Sequence, residues 1–193
     1  MVRYSEGYKP YVITKRITWQ LPYERMYKCN TDGAYRGNPR PSSNGFSVRN
    51  GTRDVVFSMA EEIGISTNIV AEARAIVEGL LYCVQRQLHP FIIETNSLVM
   101  KKIIEGKWDI PWNIGKEVKK IKEIKENYNV IFQHVLREGN TVADFLANLV
   151  FYFADYSEGS KLGSNGIRRY LITLMIAWFR VSHEAATAIC SWY

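Results

Sequence analysis

The stretch Pro90-Phe91-Ile92-Ile93-Glu94-Thr95-Asn96-Ser97 decides how this chain is read. Phe91 to Thr95 is a short, mostly apolar run, set off by Pro90 in front and a helical pattern behind. A run of that length is too short for a buried helix and reads as a buried strand. Before it, residues 68–87 carry Ile69, Ala73, Ile76, Val77, Leu80, Leu81 and Val84 at helical spacing, which makes one buried face. A long helix followed by a buried strand predicts a crossover connection. The residue that ends the run, Asn96, stands where the rest of the sequence calls for an aspartate.

Working outward, a strand pattern begins at Met26 and runs into Thr31-Asp32-Gly33. Gly37, Pro39 and Pro41 punctuate a turn-rich loop. Two short strands follow, near 44–50 and 54–60, joined by a hairpin at Asn50-Gly51. Ser66 or Thr67 can cap the long helix. A second helix spans Ser97 to Glu105 and stops at Gly106. A third covers 113–127, with Val118, Ile121 and Ile124 inward and lysines outward. Residues 130–135 form another strand and 140–153 a fourth helix. A meander followed by crossovers implies an α/β fold: a five-stranded mixed sheet with helices on both faces. Residues 1–25 read as a basic extended arm and 26–153 as the domain. Residues 154–193 read as a linker and a C-terminal helical tail, with an extra helix near 166–180.

The 193 residues are 47% hydrophobic and 23% charged, as in an ordinary globular protein. Three widely spaced cysteines suggest neither a disulfide framework nor a zinc site, so an intracellular, reducing location is expected. Most of the net charge of +6 sits in the N-terminal arm, either as a nucleic-acid contact or for solubility. No apolar run is long enough to span a membrane, and no signal-peptide stretch is expected.

Three carboxylates stand at places where a mixed sheet presents its functional edge. Asp32 ends the first strand, Glu72 lies near the start of the long helix, and Asp144 lies in the first turn of the last helix. Asn96 ends the fourth strand in the same way. Carboxylates gathered at one edge repel one another unless divalent cations sit between them. Such ions serve phosphodiester hydrolysis well.

These residues carry a resemblance. Thr31-Asp32-Gly33-Ala34 with Gly37-Asn38-Pro39, then Asn68-Ile69-Val70-Ala71-Glu72, then Ile93-Glu94-Thr95-Asn96-Ser97, resemble the first three motifs of ribonuclease H domains. His134 and Arg137-Glu138-Gly139-Asn140 through Ala143-Asp144 resemble the fourth. The flavour is similar to plant reverse-transcriptase-like ribonuclease H domains. The resemblance implies a ribonuclease H-like fold and hydrolysis of the RNA strand of RNA–DNA hybrids with two Mg²⁺ ions, Mn²⁺ substituting. It implies that Asp32 bridges both ions, that Asp144 helps hold the one that activates water, and that Glu72 and position 96 hold the one at the leaving group. It also implies that Asn38 and Asn68 touch the minor groove, where 2′-hydroxyls mark RNA, and that Thr67 lies near a phosphate of the DNA strand.

The chain departs from the pattern twice. Asn96 keeps the shape of aspartate but removes one negative charge, which weakens its hold on a hard cation. Arg40 stands where the family prefers glycine, and a positive φ there would strain it. An impaired or inactive nuclease is the first reading. A catalytically degenerate scaffold or binding subunit of a ribonucleoprotein assembly is the alternative, with structured RNA or a protein as partner for the arm and the tail. Taken singly, the site residues also have ordinary readings: Asn96 as an N-cap of the second helix, Asp144 as a capping-box partner of Thr141. The lysines of residues 101–125 read as a solvated face or a phosphate-tracking stripe. Trp108 and Trp112 read as core-edge closers or as stacking platforms.

Overall fold

The computed structural model describes residues 19–37 and 40–157. Most of the basic arm, Asn38, and the expected tail helix near 166–180 lie outside the described residues. The strands are β1 (Tyr27–Tyr35), β2 (Arg40–Arg49), β3 (Val55–Ser66), β4 (Phe91–Thr95) and β5 (Ile131–His134). The helices are α1 (Asn68–Gln85), α2 (Leu98–Ile104), α3 (Gly115–Tyr128) and α4 (Thr141–Ser157). The sheet order is β3-β2-β1-β4-β5. β1 runs antiparallel to β2 and parallel to β4, and β4 runs parallel to β5. The mixed five-stranded sheet expected from the sequence is therefore present. Because β1 and β4 are parallel, Asp32 and Asn96 come out at the same edge.

Alternation along β1 assigns the two faces. A Cβ on Gly33 would sit 2.4 Å from the backbone nitrogen of Glu72, so α1 lies against the Gly33 face. Gly45 is the β2 partner of the neighbouring Asp32, and a Cβ there would sit 2.6 Å from the nitrogen of Ala147. Hence α4 lies against the opposite face. The α1 face carries the main core: Cys29, Phe46, Val48 and Ile93 from the sheet meet Ile76 and Leu80 of α1, Met100 and Ile103 of α2, and Val118 and Ile121 of α3. Among the described residues, the α4 face has small apolar clusters, Ala34 with Ala147 and Phe151, and Leu146 with Leu149.

Several boundaries differ from those expected. β3 runs six residues further than the pattern near 54–60 suggests, and β2 begins at Arg40. β3 is the sheet's edge, where exposed Glu61 and Glu62 continue the pairing without burial. The register shifts between Ser42 and Ser43, opposite Gly64 with its φ of 75°. The hairpin is wider than Asn50-Gly51: the Asn50 side chain accepts from the backbone N–H of Thr52 and of Asp54, and the left-handed residue is Arg53. Arg40 is the first residue of β2 and pairs with Ser66 in the ladder, an extended conformation that arginine adopts readily, so the expected strain there is not supported. The left-handed turn falls on Gly37, with φ of 103°, where no Cβ has to be accommodated.

Candidate active site

The sheet edge gathers the expected residues. Asp32 is 3% exposed and accepts a hydrogen bond of 2.9 Å from the Gly33 N–H. Glu72 is 6% exposed, and its Oε2 is buried with no hydrogen-bond partner. Gly33 is the reason they meet. With no Cβ in the way, the α1 backbone rides against the strand and sets Glu72 beside Asp32. The consequence is electrostatic. Burial, then the charge of Asp144, raises the Asp32 carboxyl from 3.8 to about 7, against the opposing pull of the Gly33 N–H, Arg137 and Asn96. Burial, then the charge of Asp32, raises Glu72 well above the usual range. Two buried carboxyls side by side cannot both ionise cheaply without a cation.

Asp144 completes the group but faces elsewhere. Its Oδ1 accepts from Arg137 Nη2 at 2.7 Å and Nε at 3.1 Å. This pair raises the Arg137 guanidinium, first through that hydrogen bond and then through the charge of Asp144. Among the described residues, no three His, Cys, Asp or Glu side chains stand as a ready cage for a metal ion. In kind, though, the residues suit a hard cation: three carboxylates with an orphaned, buried Glu72 oxygen among them.

Asn96 is not the cap of α2. Ser97 takes that place, its Oγ accepting from the Met100 N–H. Nor does the Asp144 carboxylate close a box with Thr141, since it is held by Arg137. The Oδ1 of Asn96 accepts from Asn140 Nδ2 at 3.3 Å and its backbone oxygen lies 3.2 Å from His134 Nε2; its side chain lies close enough to Asp32 to pull that carboxyl slightly down. Thr67 precedes α1 without a capping hydrogen bond, its Oγ1 buried and unpartnered, and Asn68 is exposed beside it. These two stand at the N-terminus of the helix that carries Glu72. Trp112 is 93% exposed and Trp108 51%, so neither closes the core edge; Ile114 does.

Beside the site lies a polar network that the sequence patterns did not indicate. Lys28, 3% exposed, pairs with Glu94 at 2.8 Å, and Asn30 donates to the other oxygen of Glu94. Trp19 covers the group, its indole N–H donating to Asn30 and its ring facing Lys28 and Arg49. Only one signal pointed this way: Lys28, Asn30 and Asp32 alternate along one strand, which puts them on one face.

Against known proteins, the model of the reverse transcriptase-like family matches residues 30–150. The chain belongs to the reverse transcriptase-like ribonuclease H family. This ribonuclease H domain is 28% identical over 140 residues to an Arabidopsis thaliana protein provisionally named a ribonuclease H protein, covering 72% of the chain and 23% of that relative. It is 29% identical over 119 residues to ribonuclease HI of Halobacterium salinarum, covering 61% of the chain and 60% of that enzyme. The chain thus spans less than two thirds of either relative. The crystal structure of the Halobacterium salinarum RNase H1 superimposes with a TM-score of 0.63 at 26% identity, over 66% of this chain and 98% of that one. LC11-RNase H1 in complex with an RNA/DNA hybrid gives 0.61 at 28%, over 66% and 98%. The mixed sheet with its helices is the ribonuclease H-like fold.

Proposed function

We propose that this ribonuclease H domain, centred on residues 26–153, binds RNA–DNA hybrids and carries the remains of a metal-dependent site for cutting their RNA strand. The observation that carries the reading is the pair Asp32 and Glu72, buried together with Glu72 Oε2 unpartnered; Asp32 lies inside β1, just past its last pairing with β4, and not at the strand's end as expected. Asp32, Glu72 and Asp144 would hold Mg²⁺, with Mn²⁺ as substitute, and position 96 would hold it poorly. Bound there, divalent cations would lower the pKa of water and offset the charge that builds on a phosphodiester. The residues' own work is to supply negative charge at fixed places, and Arg137 must yield Asp144 for all three to serve one centre. Asn38, Thr67 and Asn68 would contact the hybrid. A relative solved with an RNA/DNA hybrid supports the substrate class.

Asn96 makes the turnover low. Its amide offers one neutral oxygen in place of a carboxylate, and that oxygen already accepts from Asn140. The same observation favours the second reading, a degenerate domain retained for binding. Cleavage of an RNA–DNA hybrid in Mg²⁺ and in Mn²⁺ separates the two. The nuclease reading expects weak cutting by the natural chain and a gain of at least about tenfold in Asn96→Asp. No cutting by either, with hybrid still bound, leaves the binding reading standing and sinks the nuclease.

A further inference from the structure

Four side chains join the outer polar face to the site, and their chemistry allows one orientation only. An indole N–H can donate but not accept, so the Asn30 atom facing Trp19, at 3.0 Å, is the amide oxygen. The Asn30 nitrogen then faces Glu94 Oε2 at 2.8 Å and Asn140 Oδ1 at 3.1 Å, using both of its hydrogens. The Asn140 nitrogen in turn faces the Thr31 backbone oxygen at 2.9 Å and Asn96 Oδ1 at 3.3 Å. A backbone carbonyl can only accept, so Thr31 fixes Asn140 independently of Trp19. Asn140 is 1% exposed and Asn30 3%, so water cannot easily stand in for the links that Asn30 and Asn140 make to each other, to Glu94 and to the Thr31 carbonyl. The last member, Asn96, has its oxygen committed to Asn140, which leaves its nitrogen on the other side, toward the neighbouring Asp32.

We propose that Asn140 is a positioning residue for position 96, holding the Asn96 amide with its oxygen turned into the network and its nitrogen toward Asp32. Position 96 is thereby a hydrogen-bond donor at a place where a cation needs an oxygen. With aspartate at 96, the same Asn140 has the opposite effect: it takes one carboxylate oxygen and aims the other at the site. Asn140 thus hinders metal binding in the natural chain and would assist it in Asn96→Asp. The inference rests on the metal-centre reading above.

The test is Mn²⁺ affinity, by calorimetry, for the natural chain, Asn140→Ser, Asn96→Asp and the double variant, with circular dichroism to verify folding. Serine is too short to hold the side chain at 96. Asn140→Ser is expected to raise Mn²⁺ affinity about threefold in the natural chain and to lower it about tenfold in the Asn96→Asp background, the range for groups that orient metal ligands. A residue that merely supports the fold would lower both. A fall or no change in the natural chain overturns the inference while leaving the metal centre intact. No Mn²⁺ binding by Asn96→Asp overturns the metal-centre reading and the inference with it. Crystals of the unaltered chain grown in Mn²⁺ give a reading that no variant's folding can spoil. The Asn96 oxygen is expected on Asn140; an ion at about 2.2 Å from it would overturn the proposal.

Discussion

The two faces of the sheet are built from alternate residues of the same strands and serve different ends. Beneath α1, Cys29, Phe46, Val48 and Ile93 continue into one apolar core that reaches α2 and α3. On the other face, Lys28, Asn30, Asp32 and Glu94 are as thoroughly buried but polar. The first face stabilises by apolar burial alone. The second gains little net stability, because each charge taken from water must be offset by its partner. It does hold donors and acceptors in fixed directions, which a site needs and an oily core cannot supply. The comparison teaches that this domain keeps its main apolar core on one side of the layer and its buried polar network on the other, with Glu72 reaching the site from α1 on the apolar side.

The comparison can be broken first on the apolar side. Ile76→Ala removes a fully buried side chain of α1 and is expected to cost about 4 kcal/mol in urea denaturation. It should leave the pH dependence of stability as it was. A changed pH dependence would show that the faces are not independent.

On the polar side, Glu94→Gln leaves Lys28 buried beside a neutral amide and is expected to cost about 3 kcal/mol. Replacing both, Lys28→Met with Glu94→Leu, should recover most of that loss. If the double variant is as unstable as the single one, shape matters here more than charge.

A smaller effect comes from pH. With no metal present, the folded chain keeps a proton on Asp32 up to about pH 7, whereas the ordinary value is 3.8. The folded state therefore binds more protons than the unfolded one between those values, and stability falls as pH rises through that window. Glu72 is raised in the same direction, for the same cause of burial beside a like charge. The loss is on the order of 2–3 kcal/mol once relaxation and coupling are allowed for. Thermal melting in a chelator should show it. Asp32→Asn should flatten the curve, and a curve that rises over this range instead would contradict the buried, unneutralised pair.

The smallest effect lies between the faces, at the start of α2. Ser97→Ala removes the side-chain acceptor for the Met100 N–H and is expected to cost about 1 kcal/mol in melting experiments. A cost near zero would mean that Asn96 takes over the cap it does not hold in the natural chain.

Element order, sheet type and the meeting of Asp32, Glu72, Asn96 and Asp144 at one edge were legible in the sequence. Hydrophobic period and motif spacing are local properties, and they settle the kind and order of the elements; the end of β1 was read at Asp32, whereas its pairing with β2 continues to Tyr35. The edge strand β3 was read short because pairing at an edge continues through exposed glutamates that no burial pattern marks. Which way Asp144 turns depends on the local turn that brings Arg137, seven residues earlier, back onto it, and hydrophobic period does not show such a turn. Which atom of Asn96 faces inward depends on a residue far along the chain. Arg137 takes Asp144, while Asn140 takes the Asn96 oxygen from 44 positions away. The sequence by itself determined that position 96 lacks a charge. Only the tertiary structure decided the direction of the neutral amide left there, because a hydrogen bond's polarity is set by its partner, and the partner arrives only when the chain folds.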